Sequence, residues 1–305
     1  MLTGYMIRQL LLKTRLPEAE NNTETHTGLA RPRAFTLIEL LVVIAVIAVL
    51  MGILMPSLQK ARKMAQSTTC RFNLKEWGLI FNLYAGDNEN KLPQSIEGGN
   101  LNAQEAYWII ATLPYYSEKK IRLCPSTKVV RDTRVNRSHG STFACWGPFE
   151  PGTASDWWAD FDTGSYGLNE WVSAPPPGAA SLWGFPANNA WRTLDAKGAN
   201  RIPLFMDSAY VDVFPDIRDT PLETEPDPYE WNSSWGDWGT HAMRLVCLDR
   251  HGGGINMVFL DGTTGKVPLR ALWKLKWHKN FNINNPRNEP DAAWPKWLQK
   301  FGDVY

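Results

Sequence analysis

The chain has 305 residues, 44% of them hydrophobic, and a formal net charge of +1. That apolar content is enough for a packed core and excludes wholesale disorder, while the charge provides no basic footprint for nucleic acid. Without residues 1–34 the remainder has 27 basic and 28 acidic residues, a net of −1, so charge selects no partner.

Residues 1–34 end in a polar stretch, Glu18 to Thr27, that suggests no fold. The apolar run begins at Phe35, and from Leu40 to Met55 every residue is apolar or glycine. As a helix, its 21 residues would span about 31 Å, close to a hydrocarbon core of about 30 Å. Arg31 and Arg33 precede it, so positive-inside logic keeps that end cytoplasmic and sends the remainder outward. Glu39 is anomalous here, because a carboxylate in hydrocarbon is unfavourable by several kcal/mol and persists where it has a partner. Pro56 marks a break or kink at the far end.

Ala34-Phe35-Thr36-Leu37-Ile38-Glu39 resembles the processing and methylation site of type IV pilins and type II secretion pseudopilins. The resemblance implies a cut between Ala34 and Phe35 by a prepilin peptidase, followed by methylation of the new amine. The family usually has Gly where this chain has Ala34. Glu39 would become the fifth mature residue and pair with the amine of a neighbouring subunit. Translation from Leu29 would leave the short basic leader LARPRA.

Beyond the run, Cys70, Leu74, Trp77, Phe81 and Tyr84 recur at helical spacing and define one buried face. The helix is expected to extend from about residue 35 to residue 85, with Gly86, Asp87 and Asn88 ending it. Residues 57–86 form its outer part, and residues 87–305 an exported domain.

The chain also holds Leu123-Cys124-Pro125-Ser126, Ser165-Tyr166-Gly167-Leu168-Asn169 and a C-terminal His251-x(9)-Asp261-Gly262. Together these are similar to a pseudopilin-like branch with a processing-associated H-x(9)-D-G region. Residues 255–260 read as a buried strand and residues 266–269 as its hairpin partner, with turn chemistry between them. His251 and Asp261 would then lie at opposite ends of one strand, His251 bonding a loop and Asp261 setting the turn. Residues 202–207 and 245–248 are further strand candidates, and residues 271–278 a short helix carrying Trp273 and Trp277 on one face.

Cys70, Cys124, Cys145 and Cys247 form no C-x-x-C pair; in an exported domain they allow one or two disulfides of open pairing. No cofactor is expected. Calcium is the metal option, with Asp207, Asp212 and Asp261 as candidate ligands and Asp160-x-Asp162-x-Gly164 as a fragment of a calcium loop. Fifteen tryptophans read as core filling, with Trp231, Trp235 and Trp238 as the alternative sugar-stacking platform. Enzyme signatures are absent from the sequence.

The expected class is α+β: a long N-terminal helix packed on a small antiparallel sheet with long loops. The expected function is a structural subunit, anchored in the inner membrane and assembled with other pilin-like subunits into a filament. The alternatives are an uncleaved anchored polysaccharide-binding module, and an anchored hydrolase using His251 or His241.

Overall fold

The apolar run and the stripe after it form one element, α1 (Leu37–Asp87), with Pro56 inside it rather than at a break. The computed structural model describes residues 35–95, 108–129, 139–147, 163–182, 184–230, 242–284 and 294–302. It divides into two compact units, Met1–Leu54 and Met55–Tyr305. In the first, every large apolar side chain of the described segment is exposed, from Ile47 at 44% to Leu37 at 79%. A surface of that kind demands lipid or another protein. In the second, α1 buries Cys70, Leu74, Trp77, Ile80 and Phe81, and the helix ends at Asp87.

After α1 come α2 (Trp108–Ala111), β1 (Tyr166–Asn169), β2 (Ser181–Leu182), β3 (Phe185–Pro186) and β4 (Pro203–Asp207). β5 (Asp212–Val213), β6 (Gly254–Phe259), β7 (Thr264–Pro268) and α3 (Lys296–Gln299) follow. The main sheet has the order β5-β1-β4-β6-β7, and β2 and β3 form a separate hairpin. The fold is α+β. The expected antiparallel pairing holds for β1, β4, β6 and β7, but β5 runs parallel to β1. The connection explains it: the chain reverses after β4 and crosses to the far side of β1. At that crossing a Cβ on Gly167 would lie 2.5 Å from the Tyr210 carbonyl oxygen, so glycine is required.

β4 and β6 are buried along their whole length. Alternation on β6 sends Val258 into a cluster with Leu74, Trp77 and Phe81 of α1. Ile255, Met257 and Phe259 enter a second cluster with Trp171, Met243, Trp273 and Trp277. The hairpin expected at residues 255–269 is present as β6 and β7. Two expectations are corrected. Residues 245–248 are not a strand, since the chain makes a 3₁₀ turn at Ala242–Leu245. The C-terminal Trp pair is not on an α-helix: Leu269–Lys274 is 3₁₀ and Trp277 lies beyond it.

The tryptophans behave as core with a polar anchor. Trp77, Trp108, Trp146, Trp171, Trp273 and Trp277 are fully buried, and each indole N–H donates to a backbone carbonyl. A loop-rich core needs such donors for its unpaired carbonyls. Trp231, Trp235 and Trp238 lie outside the described residues.

One buried carboxylate in the second cluster's wall yields a pH prediction. Asp219 accepts the amides of Asp216 at 3.1 Å and Met243 at 2.8 Å. Burial pushes its carboxyl up to about 7, with Asp216 adding to the rise and Arg218 opposing it. The folded chain therefore holds a proton that the unfolded chain releases near pH 4. The resulting stabilisation is complete below that pH and is lost as pH rises through about 7, at about 1.4 kcal/mol per unit. Asp219→Asn keeps an acceptor for both amides and lacks the titration. The stability of wild type minus variant, from urea unfolding, should fall between about pH 4 and pH 7. A constant difference would remove Asp219 as the source.

Candidate functional site

At the start of α1, Thr36 and Glu39 satisfy each other's backbone. The Glu39 amide donates to Thr36 Oγ1 at 3.3 Å, and the Thr36 amide donates to Glu39 Oε2 at 2.8 Å. The Thr36 hydroxyl also donates to Glu39 Oε2 at 2.8 Å. This reciprocal capping arrangement follows from the T-x-x-E spacing, which was legible in the sequence and is a second role for Glu39. Phe35 lies just outside the helix and is exposed, while Ala34 lies outside the described residues.

The second site lies inside the Met55–Tyr305 unit, on four separate segments. Cys70 comes from α1, Cys124 from the loop before residue 129, Asp207 from the end of β4, and His251 from the turn before β6. Their side-chain sulfur, oxygen and nitrogen atoms all lie within 4.8 Å of one another. His251 Nε2 is 3.0 Å from Asp207 Oδ2 and 3.4 Å from Cys124 Sγ. The Cys70 thiol lies 3.6 Å from each Asp207 oxygen. Gly252 and Gly253 hold φ of 66° and 84°, which lets the chain double back so that the His251 amide donates to Gly254 O at 3.0 Å.

A ring of further groups fixes these four. Arg250, wholly buried, donates to Asp207 Oδ1 at 3.0 Å, and the Asn256 amide donates to Oδ2 at 2.8 Å. The same guanidinium donates to the carbonyls of Ser141, Thr142, Ser165 and Ser208. The Tyr166 hydroxyl donates to Cys70 Sγ at 3.5 Å, and the Cys124 amide to Ser165 Oγ at 2.5 Å. The short motifs at residues 123–126 and 165–169 and the histidine of the C-terminal motif thus converge on one carboxylate.

The electrostatics follow from that packing. Burial opposes ionisation of Asp207, but His251 and Arg250 hold its carboxyl down at about 2. Burial likewise disfavours imidazolium at His251, and the Asp207 charge overrides it and raises the group to about 9. Burial raises the Cys124 thiol, while hydrogen bonds from Cys70 and His251 and the charge of Arg250 bring it down to about 6. Cys70 is pushed well up, first by burial and then by Cys124 and Asp207. His251 and Arg250 thus favour the ionised form of the Cys124 sulfur, and the Asp207 charge opposes it. Cys124 is only 1% exposed, which suits a ligand or an internal ion pair better than a nucleophile.

The other sequence candidates separate from this cluster. Asp261 is exposed and accepts from the Thr263 amide at 2.9 Å and hydroxyl at 2.7 Å, so it sets the turn before Gly262, as expected. His251 does more than bond a loop, because Asp207 and Cys124 claim its side chain. Asp212 is buried at the β5 edge, its charge acting on Glu170 and Tyr210. The four cysteines are buried thiols. Cys145 donates to Thr127 Oγ1 at 3.3 Å, and Cys247 sits in the second apolar cluster. His241, Asp160 and Asp162 lie outside the described residues. Sequence reading missed the grouping of Cys70, Cys124, Asp207 and His251.

The family described as Prokaryotic N-terminal methylation motif matches residues 29–55. That match supports a processed, type IV pilin-like subunit, and with the apolar α1 segment it fits a membrane-anchored single-pass protein. No curated protein and no solved structure matches the chain.

Proposed function

We propose that the chain is a pilin- or pseudopilin-like structural subunit, cut before Phe35 by a prepilin peptidase and assembled with other such subunits into a filament. The carrying observation is a coincidence of three features over one stretch. The methylation motif spans residues 29–55, the apolar side chains of that stretch are exposed, and Glu39 stands at the helix start. Before assembly residues 35–55 sit in the membrane as a single-pass anchor. In the filament the same apolar surface packs against neighbouring helices, which is why it carries no polar face. Phe35 supplies the amine and Glu39 the matching charge. The chain acts as a scaffold rather than an enzyme, and the burial of His251 and Cys124 supports this. The His251-x(9)-Asp261-Gly262 pattern then serves the subunit's own fold, with a type II secretion-like machine as the natural context.

The test is the intact mass and N-terminal peptide of protein purified from its native membrane, together with Ala34→Gly. The expected product begins at methylated Phe35. A chain retaining Arg31 and Arg33 in wild type, but not in Ala34→Gly, would make the protein a fixed anchor and overturn the subunit reading.

A further inference from the structure

We propose that Cys70, Cys124, Asp207 and His251 bind one zinc ion that ties α1 to the sheet. The proposal does not rest on filament assembly and concerns the Met55–Tyr305 unit alone.

The geometry is the first support. Zinc–sulfur bonds of about 2.3 Å and zinc–nitrogen or –oxygen bonds of about 2.0–2.1 Å in a tetrahedron put the donors about 3.3–3.8 Å apart. The three pair distances bearing on that figure are 3.0 Å for His251 Nε2–Asp207 Oδ2, 3.4 Å for Cys124 Sγ–His251 Nε2 and 3.6 Å for Cys70 Sγ–Asp207 Oδ2. The remaining pairs fall within 4.8 Å, so small side-chain adjustments close the tetrahedron. His251 Nε2 faces both a carboxylate and a sulfur, a convergence better served by a central cation than by one shared proton.

Donor chemistry and charge select the metal. Two sulfurs, an imidazole and one carboxylate suit zinc and are unlike the all-oxygen cage of calcium. Ionised, the set has two thiolates and one carboxylate, for −3, and Arg250 adds +1. A divalent ion brings the buried sum to zero, which satisfies the requirement that buried charges be compensated.

The surrounding bonds are those a metal site needs. Asp207 would ligate through Oδ2 while Arg250 holds Oδ1, and the Tyr166 hydroxyl stays on the Cys70 sulfur. All four positions come from the chain, so the site is closed and structural rather than open for catalysis. Of the four ligands His251 lines a cleft of about 1230 Å³, together with Ser67 and Ser126.

The experiment uses the full chain purified in detergent without chelator, with elemental analysis, intact mass and thiol titration. The expected result is roughly one zinc per chain, with Cys70 and Cys124 unreactive until a chelator is added. Cobalt replacement should produce a thiolate-to-metal charge-transfer band and intense tetrahedral d–d absorption. Cys124→Ala and His251→Ala should each lower zinc content at least tenfold, while Asp261→Asn keeps it. The cobalt spectrum of wild type keeps the test decisive if those variants fail to fold. A metal-free chain with four free thiols, or a Cys70–Cys124 disulfide seen as the loss of two hydrogens, overturns the proposal. So does zinc retained undiminished in folded Cys124→Ala.

Discussion

Asp207→Ala is expected to destabilise the Met55–Tyr305 unit by about 3–5 kcal/mol, a large share of the roughly 5–15 kcal/mol that holds a domain folded. The magnitude comes from what is left behind. Arg250 is wholly buried, and Asp207 is its ion-pair partner; its other bonds go to neutral carbonyls. Removing the carboxylate strands a guanidinium where solvent cannot reach it. His251 loses its 3.0 Å partner in the same step, and the Asn256 amide loses its acceptor. Urea unfolding with chelator present isolates this charge effect from any metal. Arg250→Met should also cost several kcal/mol, because four carbonyls lose their donor and Asp207 keeps only His251 of its two cationic partners. The double variant should cost clearly less than the two singles summed, since neither charge is then left alone. Additive losses, or a cost under about 1 kcal/mol for Asp207→Ala, would mean that the ion pair does not organise this core.

How much of this was visible beforehand depended on the distance between the cooperating residues. The stripe Cys70, Leu74, Trp77, Phe81 predicted both the helix and its buried face, because 3.6-residue periodicity is local. The hairpin at residues 255–269 was legible for the same reason: alternation, then Asp261-Gly262 turn chemistry, then return. Parallel pairing of β5 was not legible, since two-residue strands carry no period and the crossing at Gly167 is a tertiary event. The buried site was hidden most completely. Asp207 read as an oxygen ligand for calcium beside Asp212 and Asp261, and the cysteines read as disulfide candidates because their spacings match no metal pattern. Only the fold brings residues 70, 124, 207 and 251 together. The nearest available signal was Asp249-Arg250-His251, two basic residues beside a single acid in a mostly apolar stretch, which leaves one of them to find a distant anion. At the other end, T-x-x-E at residues 36–39 was legible as a cap and was overshadowed by the charge of Glu39.

That overlap of roles makes Glu39 the second large expectation. Glu39→Gln should abolish incorporation into filaments while leaving the helix start intact. Glutamine still offers an oxygen to the Thr36 amide, so the capping arrangement persists, but the charge is gone. In hydrocarbon the amine of Phe35 on a neighbouring subunit would then be unpaired, a penalty of several kcal/mol for every subunit added. Thr36→Val makes the opposite cut: it removes the hydroxyl cap, a loss of about 1 kcal/mol, and keeps the carboxylate. If the carboxylate acts between subunits, Thr36→Val should assemble nearly as well as wild type and Glu39→Gln should remain in the membrane, processed but unpolymerised. The readout is the fraction of methylated chain in sheared filaments against membranes, with processing followed by N-terminal mass. Should both variants fail equally, the helix start itself would be the requirement, and Glu39 would act within its own chain. Should Glu39→Gln polymerise normally, the intramembrane charge would have no part in assembly. Its conspicuous position would then reflect the T-x-x-E cap alone, a local device that satisfies backbone amides at the helix start.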